Sequence, residues 1–285
     1  MKRHPGPWTP HGESADRHVG AMINRVHRHL LESGRWHPTT LSCWVVGPLA
    51  RGEGWIVRPP EAREDTWDLL DPLTLVLALP PGFEDEARTL EHAWATPEVS
   101  QAAGGAVEVL VVTRESLPRH PVAIAELARG RRVVWSFGDR DPIPEAPVLS
   151  DRELAALELR LASRDLGLLA ALLSDPLHAF QPALVRETWS RLVYGLDRLG
   201  RIVLLASGCF DPKAGRRTEL VLEMARLGSA HPELAPLVEA ASTIRSLPVF
   251  KVPGWEDLVS LGQELVMWHR YVAHVHLGGE LVPHS

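Results

Sequence analysis

Hydrophobic positions in the first half of the chain switch between helical spacing and short, nearly unbroken runs. Val19, Met22, Ile23, Val26 and Leu30 recur three and four residues apart, which predicts an amphipathic helix from Ser14, a candidate N-cap, to the stop at Gly34. LSCWVV at 41–46, rich in β-branched and aromatic residues, then reads as a strand that stops at Gly47. LTLVLAL (Leu73–Leu79) is a continuous apolar run of strand length, the pattern of a strand buried on both faces, and PPG at 80–82 ends it. A charged helix over 84–94 follows. The turn at Gly104 and Gly105 introduces a third strand, AVEVLVV at 106–112. A short helix over 121–128, closed by Gly130, leads to a last strand, RRVVWSF at 131–137. Between the first two strands, residues 55–70 carry Pro59, Pro60 and a run of charges, which predicts a loop insertion.

From Ser150 onward only helical spacing remains. SDRE at 150–153 is a capping box, in which the serine hydroxyl and the glutamate carboxylate each satisfy a first-turn N–H. The helix it opens extends to about Leu173, and further helices are expected at 182–199, 202–207, 217–227, 234–246 and 255–277, a bundle of five or six. The acidic, proline-rich DRDPIPEAP at 139–147 marks the change of character. The division expected is therefore a flexible tail over 1–13, rich in Pro, Gly and His, an α/β domain over 14–147 and an all-α helical domain over 148–285.

Composition narrows the classes. The chain has 285 residues, 45% of them hydrophobic, with 10 Trp, so each half has the means to build a core. Thirty Lys and Arg against 36 Asp and Glu give −6, the opposite of a general nucleic-acid binder. Two cysteines, Cys43 and Cys209, make no disulfide framework and fit a reducing cytoplasm. Neither a secretory h-region nor an apolar run long enough to cross a membrane is present, so a cytoplasmic protein is expected. His27 and His29 lie on different helix faces, and His269, His274 and His276 lack the three- or four-residue spacing of ligands on a helix, so surface positions are expected. Arg58 and Arg63, and the basic loop with Lys213, Arg216 and Arg217, are expected as solvated charges.

The chemistry concentrates at GPLARGEG, 47–54. Gly47, Gly52 and Gly54 permit positive φ and close approach of a ligand, and Arg51 adds a fixed positive charge. Backbone N–H groups and a guanidinium together suit a polyphosphate. Gly47, Arg51, Gly52 and Glu53, preceded by a strand and followed by a strand after Asp71, resemble the turn of polymerase-β-like nucleotidyltransferases, the group with the aminoglycoside and minimal nucleotidyltransferases. Their pattern is a strand, G-[GS]-x-x-R-G-[DE], a strand opening with D-x-D, and a later strand with a third carboxylate. The resemblance spans about 19–139 and implies a mixed sheet, a nucleotide held by Gly47, Arg51, Gly52 and Glu53, and Mg²⁺ held by Asp71 and Glu108. The helical half is implied as one wall of the substrate cleft.

Two positions depart from that pattern: Pro48 stands in place of the small residue, and Leu73 occupies the second D-x-D position. Mg²⁺ requires oxygen ligands, which leucine lacks. Three functions are expected to compete. The first is a nucleotidyltransferase-like protein with a degenerate metal site that binds a nucleotide or partner with little turnover. The second is an active Mg²⁺-dependent enzyme that moves NMP from an NTP to a small-molecule or protein hydroxyl, using Asp71, Glu108 and a displaced acid such as Asp68 or Glu53. The third is a structural subunit whose cleft is filled, with Trp44, Trp55 and Trp67 contributing.

Overall fold

The computed structural model describes residues 7–36, 38–58, 66–94, 96–113, 116–117, 127, 131–136, 149–211, 214–247 and 251–278. The chain divides into two compact units, Met1–Val148 and Leu149–Ser285. The first is mixed α/β and the second is helical in its described residues.

In the first unit, α1 (Glu13–Glu32) buries Ala15, Val19, Met22, Ile23, Val26 and Leu30, the stripe that its spacing predicts. It begins at Gly12 without a side-chain cap, and the Ser14 hydroxyl instead accepts a hydrogen bond from the Trp67 indole at 3.2 Å. Strand β1 (Ser42–Val46) is fully buried and runs directly into a five-residue helix, α2 (Gly47–Arg51). The expected loop insertion contains a small antiparallel hairpin, β2 (Ile56–Val57) with β3 (Asp68–Leu69). Then come β4 (Leu73–Leu79), α3 (Glu84–Trp94), α4 (Pro97–Ala103), β5 (Val107–Thr113) and β6 (Arg132–Ser136). Helix α4 was not expected; Pro97 at its first turn and Gly104 in left-handed conformation at its end are its sequence signals. The helix expected at 121–128 and the linker at 139–147 lie outside the described residues, apart from Leu127.

The sheet has order β5-β4-β1-β6 and is mixed: β4 is antiparallel to β1 and parallel to β5, and β6 is antiparallel to β1. Alternate side chains divide between two faces. Leu73, Leu75, Leu77 and Leu79 of β4 join Cys43 and Val45 of β1, Val109 and Val111 of β5, and the apolar stripes of α1, α3 and α4 in one core. The opposite face, with Trp44, Val46, Thr74, Val76 and Ala78, is also buried.

The second unit comprises α5 (Asp151–Ser174), a 3-10 turn (Pro176–Phe180), α6 (Pro182–Ala206), α7 (Ala214–Arg226), α8 (Leu234–Ser246) and α9 (Trp255–Leu277). The capping box at Ser150 and Glu153 forms as predicted. Helix α6 packs against α5, α7, α8 and α9. The two helices expected at 182–199 and 202–207 are one. Gly200 is not a stop; a Cβ there would lie 2.6 Å from Val238 Cγ1, so the glycine admits α8 to the α6 backbone. No described helix is long and apolar enough to cross a membrane.

Candidate functional site

The glycine turn is built as the end of a short helix. Gly47 leaves β1 with φ 74° and starts α2, whose residues Gly47, Pro48, Leu49 and Ala50 are buried. Gly52, at φ 78°, ends it: its N–H donates to Leu49 O at 3.1 Å, and Glu53 N–H donates to Pro48 O at 2.9 Å. This pair of reverse bonds is the Schellman closure of a helix, which needs glycine for its left-handed residue. The Gly54 N–H donates in turn to Trp8 O at 3.1 Å. Three amides that the sequence offers to a polyphosphate are thus used inside the chain. The Arg51 side chain, 6% exposed, lies with Nε 3.2 Å from Glu53 Oε2, so its charge is already met by a carboxylate.

The turn is covered by residues from the stretch over 1–13, whose composition predicts a loose tail. Trp8 and Thr9 are buried, and Asp16 Oδ1 accepts both their N–H groups, at 2.8 and 2.9 Å. Arg132 of β6 donates from Nε to Ala50 O at 2.6 Å and from a terminal nitrogen to Pro7 O, with its guanidinium 4.7 Å from the Trp8 ring centroid. A Cβ on Gly52 would stand 2.9 Å from Pro7 O. Trp8, Asp16 and Arg132 were not anticipated as a group; their only sequence signals are an aromatic residue in a Pro-rich stretch, an acid in the first turn of α1 and a charge at the start of an apolar strand.

The carboxylates of the implied metal site have separate settings. Asp71 is 2% exposed at the bend before β4, where Oδ2 accepts the Trp55 N–H at 2.7 Å. Trp55 O accepts the Leu70 N–H at 2.9 Å, so Asp71 and Trp55 together close the neck of the β2–β3 insertion. Leu73 is fully buried in the core. Glu108 is exposed on β5, in register with Thr74, whose hydroxyl lies 3.4 Å from Glu108 Oε2. Because Leu73 pairs with Val107 and Thr74 with Glu108, Leu73 and Glu108 face opposite sides of the sheet. Asp68 is in β3 opposite Val57. Among the described residues no three His, Cys, Asp or Glu side chains gather as a metal would require. Trp44 and Trp55 are fully buried, Trp67 nearly so, and Arg58 stacks over Trp67 at 5.0 Å. Arg63 lies outside the described residues.

In the helical unit a cluster of charges is buried. Glu158 of α5 is wholly buried, with Arg198 Nε 3.2 Å from one oxygen and Arg201 Nη1 3.8 Å from the other. Asp165 joins Arg198, and Asp197 lies 3.5 Å from Arg201 Nε. The guanidiniums of Arg198, Arg201 and Arg245 surround the Tyr194 ring at 4.7, 5.2 and 5.6 Å. The sequence holds one clue, a glutamate and two arginines set among leucines on helices otherwise read as buried. Carboxylates and guanidiniums here face one another as a buried cluster of opposite charges.

The histidines expected at the surface are partly withdrawn from it. His27 meets the Trp36 ring edge-on at 4.9 Å, and burial lowers its pKa. His269 is 9% exposed, with Nε2 3.2 Å from Ser163 Oγ and 3.3 Å from Leu159 O, and burial lowers its pKa despite the Leu159 carbonyl. In the basic loop, Arg216 pairs with Glu219 at 2.8 Å, and Arg217 is buried 5.7 Å from the Phe210 ring centroid; Lys213 lies outside the described residues.

Comparison with protein-family models, with curated proteins and with solved structures returned no match.

Proposed function

We infer that this chain is a nucleotidyltransferase-like protein with a degenerate metal site, and that it works by binding, with little or no turnover. The observation that carries this reading is Leu73. It stands where a second metal carboxylate would be needed, and it is a fully buried core side chain facing away from the Glu108 side of the sheet. Further support comes from Asp71, whose buried oxygen takes the Trp55 N–H. The order of strand, glycine turn, strand and later acidic strand in a mixed sheet supports the family resemblance.

Of the two ligands this class admits, a nucleotide or a partner protein, the filled turn favours the protein. The amides of Gly52, Glu53 and Gly54 and the Arg51 charge are engaged within the chain, so a triphosphate would have to displace existing bonds. The test is titration calorimetry and thermal shift with ATP and Mg²⁺, beside incubation with radiolabelled NTP and candidate acceptors. Absence of a nucleotide-dependent shift and of label transfer is expected. A strong Mg²⁺-dependent shift accompanied by transfer of labelled NMP would establish the active enzyme instead, with Asp71, Glu108 and Asp68 or Glu53 as its acids.

A further inference from the structure

Helix α5 carries no charge between Asp165 and Asp175, yet much of that stretch is exposed: Gly167, Leu168, Ala170, Ala171 and Ser174 all face solvent. Leu168 is 48% exposed. A solvated helix face ordinarily carries charges, and nine uncharged residues are the composition of a contact surface. Just beyond, Leu177 and Phe180 of the 3-10 turn are 65% and 81% exposed and enlarge the apolar area.

Gly167 adds an independent observation. Three other glycines in these helices are required by packing, because a Cβ on Gly195, Gly200 or Gly262 would run into Leu265, Val238 or Leu173. A Cβ on Gly167 would meet nothing. Glycine inside a helix costs about 1 kcal/mol relative to alanine. Among the described residues nothing lies within 4 Å of that position to offset the cost, as is also the case at Gly215 of α7, whereas a helix approaching from outside would use the missing side chain.

The charges at the two ends of the uncharged stretch say what approaches. Arg164, Leu168 and Ala171 follow one another at i, i+4 and i+7 on one face of α5, and Asp175, the residue that caps its C-terminal end, stands four residues further at i+11. The cation and the acid are equidistant from the midpoint between Leu168 and Ala171, about 16 Å apart along the axis. Their side chains are 61% and 46% exposed. If a second α5 lies antiparallel on the first with a twofold axis at that midpoint, Arg164 of each copy falls beside Asp175 of the other, and Leu168 falls beside Ala171. A twofold interface needs this self-complementarity, and an unrelated partner does not. Within the chain, Arg164 is only loosely held, 3.6 Å from Asp165, and Asp175 is 3.6 Å from His178 and caps the Leu177 N–H.

We propose that the exposed Arg164–Leu168–Ala171–Asp175 face of α5 is a homodimer interface, occupied by the same face of a second copy in antiparallel orientation. The proposal is independent of the nucleotidyltransferase reading.

Sedimentation velocity on the full chain over concentrations up to about 100 µM tests it. The wild type is expected to dimerise. Leu168→Asp is expected to raise the dissociation constant at least about tenfold, with the melting temperature unchanged at concentrations low enough for the wild type to be monomeric. Arg164→Asp and Asp175→Arg each place two like-charge pairs in their own homodimer and should weaken it. An equimolar mixture of the two recreates both opposite-charge pairs and should dimerise again. Should Asp175→Arg disturb the 3-10 turn, Leu168→Asp and Arg164→Asp decide by themselves. A wild type that stays monomeric would overturn the proposal, leaving the face to a different protein. A dimer that ignores Leu168→Asp, or a mixture of folded variants that fails to recover, would overturn it as well.

Discussion

At the residue scale, the most consequential side chain in the helical unit is Glu158. It is completely buried, and both its oxygens face guanidiniums that are themselves almost buried. A matched buried cluster contributes little net stability against an apolar core of equal volume, but removal of one partner leaves the others uncompensated in a medium that solvates them poorly. Glu158→Gln is therefore expected to lower unfolding free energy by about 3–5 kcal/mol, read from denaturant midpoints. A loss below about 1 kcal/mol would mean that Arg198 and Arg201 are held by Asp165, Asp197 and Tyr194 alone. At the same scale, Gly52 has its positive φ because a helix ends there, and the amides that follow it are bonded within the chain.

At the scale of elements, close packing rather than propensity decides where helices run. Gly200 reads locally as a break, but α6 passes through it because α8 leans on that position through Val238. Gly200→Ala gains about 1 kcal/mol of helix propensity, while overpacking against a β-branched neighbour costs roughly 1–3 kcal/mol. The expected outcome is a net loss of about 1 kcal/mol in chemical denaturation, and a combined Gly200→Ala, Val238→Ala variant should recover part of it. A stabilised single variant would show that α8 can shift away without cost. Strand β4 obeys the same rule. Alternation along the strand, in its register with β1 and β5, puts Leu73 on the core side with Leu75, Leu77 and Leu79.

At the scale of the whole molecule, four histidines in the two units act on stability in one direction. His18, His27, His269 and His276 all have pKa values lowered from 6.5, with burial the leading cause in each. A histidine whose folded pKa is depressed is kept neutral by the fold, so the unfolded chain binds the proton first as pH falls. Their contribution is fully present above about pH 6.5 and declines as pH drops toward the folded values. Unfolding midpoints measured between pH 7.5 and 5 are expected to fall with acidification, and His269→Gln should flatten that dependence. A midpoint independent of pH across that window, in wild type and variant alike, would contradict the burial of these rings.

Periodicity and turn chemistry determined much of the architecture. The α1 stripe, Leu73–Leu79, the Ser150 capping box and the helices Leu234–Ser246 and Trp255–Leu277 were legible because each rests on interactions within a few residues. What depended on distant partners was not legible: the cover of Trp8 over the glycine turn through Asp16 and Arg132, the tie from Asp71 to Trp55, the pairing of Glu158 with arginines forty residues on, and the continuity of α6 through Gly200. Side-chain type and spacing state which chemistry a residue can offer. Whether its lone pairs and charge are already spent is decided only when packing brings the distant group alongside, and at this turn packing has spent them.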